Sequence, residues 1–157
     1  MSAISREAAA LIHAQRWAAL ATLSDGEPFA SMVAYALEPG GGALLFHVSQ
    51  LAQHTRDLLA HPRSSLAVSE ADTLEDDPQR LQRVTISGVA SVVRRGDEAY
   101  LAAAEAYIDR FPDAQMRFEL GDFLLVRFTP EHVRYVGGFA RAAQLSWTEL
   151  RESGSLI

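Results

Sequence analysis

About seven strand-length apolar runs, most of them separated by residues that turn the chain, constrain this sequence more than any other feature of it. Trp17 to Ser24 and Phe29 to Leu37 flank Asp25-Gly26, the dipeptide that supplies the positive φ angles of a tight hairpin. Ala43 to Val48 follows through Pro39-Gly40-Gly41-Gly42, which can continue neither strand. Ser65 to Ser69 is a further run, and Val84 to Val92 alternates apolar with small polar residues, with Gly88 where a long strand can bend. Phe123 to Phe128 and His132 to Val136 come last, ahead of Gly137-Gly138. Hairpin-joined strands leave edges that associate unless the sheet closes on itself, so the expected architecture is an antiparallel barrel.

Helices interrupt these strands. Ser5 is placed to cap one over roughly 5–16, with Ala8, Leu11 and Ile12 at helical spacing and Glu7 in the first turn. Ser49 stands where a second helix needs its N-cap, ahead of Leu51, Thr55, Leu58 and Leu59, and that helix stops before Pro62. A third passes through Leu101, Ala104, Tyr107 and Ile108 to Pro112, while the acidic stretch 72–78 is too charged and broken to be anything but loop. The length suits one domain over 1–157, with 145–157 as a C-terminal tail.

Composition removes several classes of function. With a formal charge of −6 and no lysine, the chain lacks the clustered cations that a nucleic-acid surface requires. There is no cysteine for a disulfide, a thiolate metal site or a thiol nucleophile. The N-terminal stretch is too polar for a signal peptide and no run reaches ~20 apolar residues, so the expected setting is cytoplasmic with no membrane partner. The histidines are scattered on ordinary elements and Asp76-Asp77 lies on the acidic loop, so neither a metal site nor a general-acid pair is assigned.

The segment with chemical promise is Leu44 to Pro62, a strand that feeds directly into a helix. Such a junction presents free N–H groups and the positive end of a helix dipole, which together attract an anion. His54, Thr55 and Arg56 lie in the first turns and add donors. Four stretches taken in order, Ala19 to Ser31, Phe46 to Pro62, Arg83 to Gly88 and Arg134 to Phe139, resemble the pyridoxamine 5′-phosphate oxidase-like FMN-binding split barrels, and among them the heme-utilisation type.

The resemblance covers about 4–145. It implies an α+β fold: a six- to seven-stranded antiparallel split β-barrel with flanking helices, homodimeric, because a barrel this small cannot enclose a flavin alone. It implies FMN at the dimer interface, touched by Ser31, Met32 and Val33, by Val48 and Ser49, by His54 and Thr55, by Arg56 and by Arg83. The chain departs from the oxidases themselves, which carry Arg and Lys where Gln53 and His54 stand, so pyridoxamine phosphate is not the expected substrate. The function implied is an FMN-dependent oxidoreductase of unknown substrate. The alternatives are a non-catalytic module that holds flavin or heme, and a reductase using the deazaflavin F420.

Overall fold

The computed structural model describes residues 2–156. The elements run α1 (Ala3–Ala14), β1 (Trp17–Ser24), β2 (Glu27–Ala34), β3 (Ala36–Leu37), β4 (Leu44–Ser49), α2 (Gln53–Ala60), β5 (Arg63–Ser69), β6 (Gln82–Val93), α3 (Tyr100–Arg110), α4 (Gln115–Phe118), β7 (Phe123–Gly137), β8 (Ala142–Leu145) and α5 (Trp147–Glu152). All strand pairs are antiparallel, in the order β2-β1-β5-β6-β7-β4-β3, with β8 added to β7.

The first hairpin forms as its turn residues require: Asp25 and Gly26 both have positive φ, 51° and 81°, and Trp17 to Ser24 pairs residue for residue with Ala34 to Glu27. The two ends of the strand order, β2 and β3, are consecutive in the chain with Tyr35 alone between them. The sheet therefore curls round until its edges meet there. Tyr35 is buried, its N–H donating to Arg16 O (3.0 Å) and its hydroxyl to Ile12 O (2.7 Å).

Leu20, Leu66, Ile86 and Val133 make one cross-strand row inside the barrel, and all four are fully buried. Strand alternation then places Trp17, Ala19 and Ala21 of β1, Met32 of β2 and Thr85 of β6 on the outer face.

The last two strands expected from the sequence are one. β7 runs through Pro130 because the ladder breaks at that point: the register shifts between Ser87 and Gly88, leaving Glu131 as the extra residue, so the missing proline N–H costs no bond. Gly88 is required there, since a Cβ would run into Thr129 O and lie 2.9 Å from Phe128 Cζ.

Residues read as a tail instead carry α5, capped by Ser146 and Glu149 and seated by buried Trp147 and Leu150, with Trp147 Nε1 donating to Gly41 O at 2.9 Å. Among the described residues, no helix is long and apolar enough to cross a membrane.

A second, smaller core lies outside the barrel, where α3 packs Ala103, Ala104 and Tyr107 onto Leu45 and Leu125. His47 belongs to this layer. Its ring stacks on Phe118 at 3.7 Å and 2°, its Nδ1 has no partner among the described residues, and burial, helped by Arg117 and Arg95, takes its pKa down to about 4.

Candidate functional site

α2 starts at Gln53, three residues later than Ser49 as N-cap would set it. Ser49 ends β4 and its hydroxyl accepts from Leu51 N–H (3.2 Å), while the N-cap position falls to Ala52, which has no side chain to offer. α1 and α5, by contrast, are both capped by serine hydroxyls. The N-terminus of α2 thus keeps its first N–H groups without a side-chain acceptor, next to the edge strand β2.

At that corner Ser31 Oγ lies 3.0 Å from His54 Nδ1. A short polar network holds α2 on β1: Thr22 donates to Asp57 Oδ2 (2.8 Å), and Gln53 Nε2 reaches both Asp57 Oδ1 (2.8 Å) and Ser24 Oγ (3.0 Å). Burial pushes the Asp57 carboxyl up, but hydrogen bonds from Gln53 and Thr22 outweigh it and the net shift is downward, so Asp57 is a carboxylate. Burial lowers His54 below the ordinary imidazole value, against the opposing charge of Asp57. Asp57, Thr22 and Ser24 escaped the sequence reading, although the Gln53/Asp57 spacing of four on one helix face was a usable signal.

The other expected contacts divide. Val33 follows Ser31 on the inner face, and Val48 is buried in the same core, so neither offers more than an apolar wall. Met32 projects from the opposite face, 44% exposed. Thr55 is turned inward, buried, with its hydroxyl unpartnered among the described residues. Arg56 folds back on its own helix, donating to Leu51 O (3.2 Å) and Gln53 Oε1 (2.8 Å).

Arg83 stands apart from the other expected contacts. Val84 and Ile86 face the barrel interior, so Arg83 projects outward, in the cross-strand row of Ser69, and its guanidinium donates to Gln79 O (3.0 Å) and Leu81 O (3.1 Å). Within one protomer, the Arg83 guanidinium is held by Gln79 and Leu81, while His54 Nδ1 pairs with Ser31.

The family model for the CREG β-barrel matches residues 2–151. The chain belongs to the CREG β-barrel family. This member of the family is 38% identical to the chloroplastic heme oxygenase HOZ of Arabidopsis thaliana over 118 residues, 75% of this chain and 34% of HOZ. It is 31% identical to the heme oxygenase HutZ of Vibrio cholerae over 133 residues, 83% of this chain and 74% of HutZ. A heme-binding protein of Mycobacterium smegmatis superposes with a TM-score of 0.84 at 33% identity, over 97% of this chain and 61% of that one. The chain therefore spans about a third of the plant relative and about three fifths of the mycobacterial one. A pyridoxamine 5′-phosphate oxidase-type protein of Listeria innocua (16% identity, TM-score 0.66, 85% of this chain and 98% of that one) shares the fold alone. The heme-utilisation side of the expected resemblance is supported by these relatives, and the FMN-binding oxidase is not confirmed.

Proposed function

We propose that this protein binds heme in a heme-utilisation role, as a homodimer whose ligand lies in a cleft shared by two copies. The observation that carries this reading is the Ser31–His54 pair at the uncapped N-terminus of α2. A hydroxyl and an imidazole hydrogen-bonded to each other stand beside free backbone N–H groups at the positive end of a helix dipole, and together they suit a heme propionate. When bound, heme supplies the iron at which oxygen chemistry takes place. The chain's own part is to grip the acidic edge and keep water from the macrocycle.

Five clefts of a single copy, among the described residues, measure about 300–360 Å³ each, the low end for ligand pockets, and a second copy would enlarge such a space. The outer sheet face offers the surface for a second copy: Trp17 is 58% exposed on it, amid Ala19, Ala21 and Ala67. Arg83 projects from this same face, so a partner seated here would receive Arg83 from across the interface. In this reading Arg83 serves its neighbour's ligand.

Parallel titrations with hemin and with FMN test the proposal. Hemin is expected to saturate with a shifted Soret band at a lower concentration than any FMN response, and Arg83→Ala to weaken hemin binding by ~1.5–3 kcal/mol, the scale of a charge-assisted hydrogen bond. Saturable FMN binding without hemin binding overturns the assignment and restores the flavin reading.

A further inference from the structure

Beyond Val89, β6 has lost its neighbour: β5 pairs with it only from Arg63↔Val89 onward, and the space where β5 would have continued is taken by α2 and the turn at Pro62. The turn is tied to β6 by Ala90 N–H donating to Pro62 O at 2.8 Å. Between α2, this stretch of β6 and the start of β7 a cavity of about 330 Å³ remains. Leu58, Pro62, Ala90 and Val92 give it apolar walls. None of the residues at the Ser31–His54 corner lines it.

Two polar groups break the apolar lining. Thr55 lines the cavity and is 1% exposed, and its hydroxyl has no hydrogen-bond partner among the described residues. A buried hydroxyl left unmatched costs about 1–3 kcal/mol, which a ligand oxygen paired with it would offset. Arg94 also lines the cavity; it is exposed, and its guanidinium makes no ion pair or hydrogen bond among the described residues. From this juxtaposition we infer that the cavity is a second small-molecule site, for an apolar monocarboxylate that carries a remote hydroxyl or carbonyl oxygen. The carboxylate meets Arg94, the hydrocarbon body fills the gap between α2 and β6, and the remote oxygen satisfies Thr55.

Amide NMR titration of the full chain with 3-(4-hydroxyphenyl)propanoate tests this, alongside its deoxy analogue 3-phenylpropanoate and the neutral 3-(4-hydroxyphenyl)propanamide. The acid should produce saturable shifts at Thr55, Leu58, Ala90 and Val92, and the amide should bind ~10-fold more weakly, the loss expected of one charge-assisted contact. Arg94→Gln should bring the acid down to the level of the amide. Thr55→Val should abolish the preference for the hydroxylated acid over the deoxy one while raising thermal stability, because it removes the unmatched hydroxyl. No saturable shift at these four residues overturns the site. So does binding of acid and amide with equal affinity, or a hydroxyl preference that survives Thr55→Val.

Discussion

A few side chains decide more here than their number suggests. Gly88 sits where β6 and β7 slip register, and the room it leaves is already filled by Thr129 O and the Phe128 ring. Gly88→Ala should therefore destabilise the fold by ~1–3 kcal/mol, the usual cost of overpacking, measured by urea unfolding. His47 is the other case. It is held neutral in the native state at a pKa of about 4, against about 6.5 when unfolded, so between those values the unfolded chain binds more protons. The stability this provides is whole above about pH 6.5 and is lost as pH falls toward 4. His47→Phe should flatten the stability profile between pH 6.5 and 5, and an unchanged slope there would show that His47 does not titrate with unfolding. Residue by residue, the sequence was legible where local chemistry dictates geometry. Asp25-Gly26 could make only one kind of turn, and Gly88 was visible as a bend. For Arg83 the residue type suggested an anion contact, while its parity with Val84 and Ile86 points it outward, so that contact is proposed across the interface.

Among elements, α2 shows a conflict between stability and binding. An oxygen-bearing N-cap would satisfy its first turn, and the chain has alanine there instead. Ala52→Ser should stabilise the protein by ~0.5–1 kcal/mol in thermal unfolding, the worth of a typical cap, and at the same time weaken hemin binding, because the new hydroxyl consumes an N–H meant for the ligand. Stabilisation with hemin affinity unchanged would remove the helix end from the site. The strands that were legible in the sequence are those bounded by their own turn residues. β7 was read as two because Pro130 ordinarily ends a strand, and only the partner's register shift, a tertiary fact, makes it harmless. α5 was passed over although Ser146 and Glu149 spell a capping box ahead of apolar Leu150.

For the whole molecule, the outer sheet face is the test of assembly. A second copy there would hide Trp17 and Met32 and place Arg83 near a neighbour's ligand. Light scattering should give about twice the monomer mass, and Trp17→Glu should yield a folded monomer that has lost hemin binding, since the side chain it replaces is exposed within one protomer. A variant that stays dimeric would move the interface elsewhere. The barrel itself has a further property that follows from Tyr35. Because one pinned residue joins strands at opposite ends of the hydrogen-bonding order, peeling either strand away drags on the other, and neither can fray alone. Loss of structure is then concerted, and amides on both rim strands should exchange with solvent through the same rare global opening.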